Sequence, residues 1–355
     1  MAICLLEINH FRNLKGVCIK PSDKLNYIIG PNGSGKSSLL EAIHCLGRAK
    51  SFRTHKTNRL ISEGFSSFTV FGQVQQKGRH IAVGMERQRG VSIIRLAGRT
   101  VTRASELTEV LPIAVLEPGL HQVIEEGPEH RRKFLDWGVF HVEHGFHNIW
   151  TGYRRALAQR NAALRAGWSK SATANWDLEL VGFAEQLDQA RRRYLLDLQE
   201  YIPRYTQKFI DLSLVQIRYQ QGWREGVDYA SYLSNQYISD KERGFTQYGP
   251  HRADLRIQIK GVDVRDYLSR GQQKTLVACL VLAQCAQMRA QDISPVVLVD
   301  DLPSELDVEK RMTLIQALEE TGAQVFLTGT STTLFSLDDD SQGVFHVEQG
   351  RIQSA

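Results

Sequence analysis

A glycine-rich loop near the start of the chain has the residues and spacing that bind a nucleoside triphosphate. It consists of Gly30, Pro31, Asn32, Gly33, Ser34, Gly35, Lys36 and Ser37, followed by Ser38. The loop fits the pattern G-x-x-x-x-G-K-[ST] and lies between a strand-like run, residues 26–29, and a helical pattern over residues 36 to about 46. Because glycine has no Cβ, the main chain can approach phosphate oxygens, and the helix N-terminus adds a favourable dipole. We predict that this loop binds ATP, with Lys36 bridging phosphate oxygens and Ser37 holding Mg²⁺.

Two adjacent acids, Asp300 and Asp301, directly follow the apolar run of residues 296–299. A buried strand that ends in carboxylates places them at the sheet edge where ligands collect in open α/β folds. We predict that Asp300 organises Mg²⁺ and that Asp301 orients the attacking water. ABC-type ATPases usually carry the longer Glu at the second position, so we expect slow hydrolysis. An isolated Asp pair would more often cap a helix or end a solvated strand, and the phosphate loop in the same chain favours the chemical interpretation.

A third segment, residues 268–273, reads Leu-Ser-Arg-Gly-Gln-Gln and precedes a strongly helical run. It resembles the LSGGQ signature of ABC-type ATPases, with Arg270 in place of the first glycine. We predict that Ser269, Gly271 and Gln272 contact nucleotide at the N-terminus of this helix. Taken alone, the segment could equally be an ordinary capped helix.

The order of these segments resembles that of ABC-type ATPases. The phosphate loop comes first, the signature follows, and the acids lie about 30 residues later with a D-loop-like segment, Ser-Glu-Leu-Asp, ending at Asp307. In that family the signature of one subunit closes over ATP held by another. The resemblance therefore implies a head-to-tail dimer with ATP between the heads, and a catalytic set of Lys36, Asp300, Asp301 and Ser269.

The periodicity of apolar residues divides the chain into three parts. Short β-rich runs separated by Lys77-Gly78, Arg89-Gly90 and Ala97-Gly98 predict an antiparallel meander over residues 68–101. Helical spacing dominates residues 128–245, and α/β patterns return afterwards. We predict an α/β, ABC-type ATPase head, in which a mixed sheet with the phosphate loop and an antiparallel subdomain are split around an inserted all-helical lobe. The predicted bounds are 1–127 and 246–355 for the head and 128–245 for the lobe.

The chain also resembles the bacterial RecF family of recombination and repair proteins over most of its length. The stretches that carry this likeness are residues 29–38, 126–136, 159–161, 249–252, 268–273 and 300–307. The resemblance implies an ATP-dependent, DNA-binding dimer that, with RecR and RecO, helps to load RecA on gapped single-stranded DNA. It also implies a role in replication and in the SOS response, and a weak, DNA-stimulated ATPase that acts as a switch.

A net charge of +5 is compatible with a polyanionic partner without identifying it. The candidate DNA-phosphate contacts are Arg53, Lys56, Arg59, Arg131, Arg132, Lys133, Arg191, Arg192 and Arg193. Each of these clusters could instead be an ordinary solvated face. The sequence has no membrane-spanning run and no signal-peptide layout, and its five cysteines lack CxxC pairing. We therefore expect a cytoplasmic, nucleoid-associated protein with reduced thiols.

Two other functional classes remain compatible with the phosphate loop. The nucleotide-binding subunit of a membrane transporter would use the same three motifs, but it would not explain the helical insertion or Arg270. A P-loop kinase or a nuclease-associated ATPase is the second alternative, although a kinase would not need the signature. Two positions also stay open: Glu117 or Gln122 could be the counterpart of the ABC Q-loop residue, and Thr328 or Thr330 could stand where transporters place a switch histidine.

Overall fold

The computed structural model describes residues 1–209, 214–301, 306–330 and 342–354. The strands are β1 (Ala2–Asn9), β2 (Val17–Ile19), β3 (Leu25–Ile29), β4 (Ser67–Gln76), β5 (Arg79–Gln88), β6 (Val91–Leu96), β7 (Arg99–Val101), β8 (Ile113–Leu116), β9 (Val215–Gln220), β10 (Asp254–Ile259), β11 (Val262–Asp263), β12 (Val296–Val299), β13 (Gln324–Gly329), β14 (Gly343–Glu348) and β15 (Arg351–Ser354). The α-helices are α1 (Lys36–Arg48), α2 (Ala104–Val110), α3 (Gln122–Glu125), α4 (Pro128–Val142), α5 (Phe146–Arg165), α6 (Lys170–Thr206), α7 (Tyr229–Asn235), α8 (Tyr237–Arg243), α9 (Val264–Tyr267), α10 (Arg270–Ala290) and α11 (Val308–Glu320).

The chain forms two compact units. The first comprises residues 1–120 and 278–355, and the second comprises residues 121–277. The first unit is thus built from two segments that are separated in sequence by the whole of the second unit.

A mixed six-stranded sheet of the first unit brings the predicted site residues to one edge. Its strand order is β15-β14-β3-β13-β12-β8, and every pairing is parallel except that of β14 with β15. All residues of β3 and β12 are buried, which is typical of parallel strands covered on both faces. Because these strands are parallel, the loops that follow β3, β12 and β13 leave from the same edge of the sheet.

The second sheet of the first unit is the predicted antiparallel meander. It has the order β2-β1-β4-β5-β6-β7 with antiparallel pairing throughout. The predicted turns lie where expected, and Lys77 and Gly78 both have positive φ, as tight hairpin turns require. Helix α1 contacts strands of both sheets, so its buried side chains help to form one continuous apolar core. The predicted α/β head with a mixed sheet and an antiparallel subdomain is confirmed.

The second unit consists mainly of helices, with one small sheet. Helices α5 and α6 pack against each other, and an apolar stripe along α6, including Leu180, Leu187 and Leu198, is buried. The prediction that residues 128–245 are entirely helical is wrong at β9, which pairs with β10 in a three-stranded sheet. In β9, Ile217 is buried and the residues beside it are exposed, a period of two that the surrounding helical pattern masks.

A buried ionic cluster joins three helices of the second unit. Arg160 on α5 is fully buried, and its guanidinium contacts the carboxylates of Asp177 on α6 at 2.6 Å and Asp240 on α8 at 2.7 Å. It also donates a hydrogen bond to Thr246. Since a buried charge is costly unless it is paired, this cluster favours one arrangement of the three helices.

Within the described ranges, no helix is both long enough and apolar enough to cross a membrane.

Candidate functional site

The phosphate loop connects β3 to α1 and depends on glycine at three positions. Gly33 and Gly35 have φ values of +78° and +123°, which residues with a Cβ adopt at a cost. A Cβ on Gly30 would lie 2.2 Å from the carbonyl oxygen of Val347 on β14. Glycine is therefore needed at position 30 because a neighbouring strand passes close by, and at positions 33 and 35 because of the backbone conformation.

Two turns, one near each end of the chain, form hydrogen bonds that hold this loop in place. Asn13, in the turn between β1 and β2, donates from Nδ2 to the carbonyl of Gly33 (3.2 Å) and accepts from the hydroxyl of Ser38 (2.8 Å). The backbone N–H of Gly350, in the turn between β14 and β15, donates to the carbonyl of Ser34 at 2.8 Å. The sequence gives no signal for either of these two contacts with the loop.

Polar groups at the loop fit an anionic ligand. The Lys36 side chain is buried, and its ammonium donates to the carbonyls of Gly30 (2.8 Å) and Pro31 (3.1 Å), within the span of the loop. The buried hydroxyl of Ser34 has no hydrogen-bond partner in the part of the chain that the structure describes. Together with the first backbone N–H groups of α1, which have no partner inside the helix, these groups suit phosphate oxygens.

The structure brings Ser37 and Asp300 together, as the sequence predicts. The Ser37 hydroxyl donates to Oδ1 of Asp300 at 2.8 Å, and the buried hydroxyl of Thr328 lies 3.1 Å from the same oxygen. Burial raises the pKa of Asp300, while the hydrogen bonds from Ser37 and Thr328 oppose this shift. A hydroxyl and a carboxylate oxygen at this distance are the kind of ligands that Mg²⁺ prefers, so these residues fit the ion.

Asp301 and Glu117 complete the acidic edge of the site. Asp301 has a φ of +51° and donates its backbone N–H to the Thr328 hydroxyl at 2.8 Å. Burial and the nearby charge of Asp300 raise the pKa of Glu117 to about 7, and Arg53 opposes the shift. Of the two Q-loop candidates, Glu117 thus lies close enough to Asp300 to interact with it electrostatically. Gln122 belongs to α3 in the second unit.

The signature segment forms the start of α10 in the second unit. The Ser269 hydroxyl accepts from the backbone N–H of Gln272 at 3.4 Å, and the Gln272 side chain accepts from the N–H of Ser269 at 2.9 Å. This reciprocal pair is a capping box, so Ser269 stands at a helix N-terminus as predicted. Arg270 extends towards solvent and contacts Glu125 on α3 at 3.2 Å. Gly271 is in the first turn of the same helix.

The D-loop prediction falls partly outside the described residues. Ser304 and Glu305 lie there, whereas Asp307 caps α11 by accepting the backbone N–H of Lys310 at 2.8 Å. Thr330, the second switch candidate, is exposed at the end of β13.

Two arginines predicted to contact DNA are held inside the second unit, and this prediction is corrected. Arg191 is 2% exposed, pairs with both oxygens of Asp136, and donates to the carbonyl of Pro250. Arg131 pairs with both oxygens of Asp254 and donates to three carbonyls. Their positions in runs of basic residues concealed these structural roles.

The other basic candidates are partly or wholly accessible. Arg53, Lys56 and Arg59 are exposed in the first unit. Arg132 is half-buried and donates to the carbonyl of Ala253, while Arg192 and Arg193 pair with Asp188 and Glu143. Lys133 is exposed and pairs with Glu129. These residues remain predicted DNA contacts.

The comparisons with known proteins agree with this arrangement. Residues 2–353 match the model of the RecF/RecN/SMC N-terminal domain family. The DNA replication and repair protein RecF of Shewanella denitrificans is 41% identical over 99% of this chain and 99% of its own.

Among solved structures, the recombination mediator protein RecF with ATP, in the RecFOR pathway, is 26% identical with a TM-score of 0.88, covering 100% of this chain and 97% of that one. An SMC head bound to the C-terminal winged-helix domain of ScpA is 18% identical with a TM-score of 0.60, covering 100% and 97%, and shares the fold. The chain therefore belongs to the RecF/RecN/SMC family and, by its full-length identity, to the RecF proteins within it.

Proposed function

We propose that this chain is an ATP-binding protein of DNA replication and repair that uses ATP as a switch. The observation that carries the proposal is the 2.8 Å contact between Ser37, at the end of the phosphate loop, and Asp300, at the carboxyl end of a buried parallel strand. The relatives' names supply the DNA context. The alternative of a transporter subunit is not supported, because the curated relatives at 40–41% identity are named DNA replication and repair proteins.

Different residues of the first unit would bind the phosphates, hold Mg²⁺ and orient the water for hydrolysis. The loop amides and Lys36 neutralise phosphate charge, and Ser37 with Asp300 would hold Mg²⁺, which supplies further charge neutralisation when it is bound. Thr328 fixes both acids, because its hydroxyl contacts the Asp300 carboxylate and accepts the Asp301 N–H. Asp301 would orient water, and its short side chain makes slow turnover the expected behaviour.

We further propose that ATP joins two copies of the chain head to tail. The support is the capping box at Ser269, which keeps a serine and a helix N-terminus ready for an anion. In this arrangement Ser269, Gly271 and Gln272 of one copy meet the triphosphate held by the other. The partners of this dimer would be DNA, RecR and RecO.

Sedimentation velocity with and without ATP tests the switch. The unchanged chain should shift from monomer to dimer on adding ATP and Mg²⁺, and Lys36→Met should abolish the shift by removing the phosphate contact. Lys20→Met, at an exposed position on the same segment, is the matched control and should dimerise normally. Asp301→Asn should bind ATP, hydrolyse it at least ~10-fold more slowly and dissociate more slowly, because its water is no longer oriented. An ATP-insensitive monomer would contradict the dimer proposal, and ATP binding by Lys36→Met at unchanged affinity would contradict the assigned site.

A further inference from the structure

The turn between α5 and α6 holds an exposed tryptophan in a fixed backbone. Gly167 has a φ of +74° and ends α5, with its N–H donating to the carbonyl of Leu164 at 3.0 Å. The N–H of Trp168 donates to Ala163 at 3.1 Å, and its carbonyl accepts from the Tyr237 hydroxyl at 2.5 Å. Ser169 then caps α6. The backbone of Trp168 is therefore held by hydrogen bonds at both its N–H and its carbonyl.

The Trp168 ring is supported on one side and remains 45% exposed. It packs on Trp176 of α6 with ring centroids 5.0 Å apart and an interplanar angle of 47°. Ile238, next to Tyr237 on α8, is 71% exposed. A large aromatic ring that is held rigidly and yet left open to solvent is typical of a binding anchor rather than a core residue.

Basic residues lie close to Trp168 in the chain and on the neighbouring helix α8. Arg165 ends α5, Lys170 begins α6, and Lys241 lies one helical turn after Tyr237, on the side of α8 that contacts Trp168. Arg165 packs along the end of α8, since a Cβ on Gly244 would lie 3.1 Å from its Cγ.

Within the described residues, no carboxylate forms an ion pair with these three cations or with Arg243. The nearby acids Asp177 and Asp240 are used by the buried Arg160. Glu242 is exposed on α8, and Asp177 and Asp240 together carry one more charge than Arg160, so five cations against three acids leave a local excess of two.

We propose that this surface, the arm tip formed by Arg165, Trp168, Lys170 and Lys241, binds single-stranded nucleic acid. A base stacks on Trp168, and the cations contact the flanking phosphates. Charge complementarity favours a polyanion, and the exposed ring selects the single-stranded form because a duplex hides its base faces. The inference rests on the proposed role in DNA repair and adds to it the strand form and the place of contact.

Fluorescence anisotropy of labelled (dT)20 and of a 20-base-pair duplex, measured with the full chain, tests the arm tip. Trp168→Ala should weaken (dT)20 binding by about 5- to 150-fold, because it removes the stacking of one base, and should affect the duplex much less. Trp168→Phe keeps an aromatic face and should restore most of the affinity. Binding of unlabelled (dT)20 should also quench tryptophan fluorescence in the unchanged chain, and this quenching should be smaller in Trp168→Phe.

Charge reversal gives an independent readout. Lys170→Glu should lower the slope of log affinity against log salt by about 0.7 for each phosphate that the protein no longer neutralises. Lys260→Glu, at an exposed turn of the same unit, is the matched control and should leave the slope unchanged. Urea unfolding of each variant checks that the fold is intact.

The outcomes separate this inference from the proposed function. Normal (dT)20 binding by Trp168→Ala and Lys170→Glu would overturn the arm tip and leave the repair function standing. Equal losses for (dT)20 and the duplex would also overturn base stacking at Trp168. If the unchanged chain bound neither DNA with or without ATP, the proposed function itself would fail.

Discussion

Replacing Gly350 with alanine should loosen the phosphate loop from a residue far outside its motif. Gly350 has a φ of +79°, and a Cβ there would lie 1.8 Å from the carbonyl oxygen of Asn13. Ordinary contact begins near 3.4 Å, so the two turns must separate by about 1.6 Å. This movement breaks the hydrogen bond from Gly350 to Ser34 and the one from Lys15 to Gly350.

The expected size of the effect follows from these two causes. The left-handed backbone costs an alanine about 1–2 kcal/mol, and forcing a methyl group into a filled space costs about 1–3 kcal/mol more. Gly350→Ala should thus lower the free energy of unfolding by about 2–5 kcal/mol. Loss of the hydrogen bond to Ser34 should weaken ATP binding by roughly 2- to 10-fold, because the loop is less well ordered for phosphate.

Gly78→Ala is a closely matched control. Gly78 is also the second residue of a hairpin turn in the first unit, with a φ of +76°, but a Cβ there would meet no atom within 4 Å. It should show only the backbone cost of about 1–2 kcal/mol, with unchanged ATP affinity. Urea unfolding followed by circular dichroism and titration with a fluorescent ATP analogue measure both quantities. Equal losses of stability and equal ATP affinities in the two variants would refute the assignment of Gly350 as a brace.

Three further substitutions test other parts of the structure. Thr328→Val should cost about 1–3 kcal/mol in urea unfolding and slow ATP hydrolysis, because the acid pair loses its shared hydroxyl, whereas the exposed Thr330→Val should do neither. Because the pKa of Glu117 is raised from 4.5 to about 7, its contribution to stability is largest below pH 4.5 and is lost as pH rises to about 7. Glu117→Gln should flatten the stability curve across that window, and an unaltered curve would exclude this buried acid as its cause. Arg191→Ala should lower the free energy of unfolding by about 3–5 kcal/mol by leaving a carboxylate unpaired, while the exposed Arg193→Ala should change it by under ~1 kcal/mol.

Much of the nucleotide site could be predicted from sequence because its residues occur in short, ordered segments. The loop glycines and Lys36 form one continuous motif, so the sequence predicts the strand, loop and helix around them, and the structure has β3 and α1 at these positions. The contact between Ser37 and Asp300 spans 263 residues, but it follows from parallel pairing, which brings the carboxyl ends of neighbouring strands to one edge.

The features that the sequence does not predict depend on contacts that leave no recognisable pattern in the residues around them. Asn13 lies in an ordinary turn, and only the folded chain shows that its amide bridges Gly33 and Ser38. Arg191 sits in a run of three arginines that looks like a solvated face, yet its helical position points it towards Asp136, 55 residues away. Strand β9 was hidden because six residues are too few to alter the helical periodicity of the longer stretch around them.

The supports of the phosphate loop explain why the first unit is assembled from both ends of the chain. Asn13 comes from the opening segment, while Asp300 and Gly350 come from the segment after residue 278, and all three contact the loop between β3 and α1. Separating the two segments would therefore dismantle the site, so we expect ATP to bind only when they are together. A ligand that binds only the assembled form stabilises it by RT ln(1 + [ATP]/Kd), about 2.7 kcal/mol at 100 times Kd. Bound ATP would thus stabilise the association of the two segments as well as the loop. Occupancy of this small site would in this way raise the stability of the whole first unit.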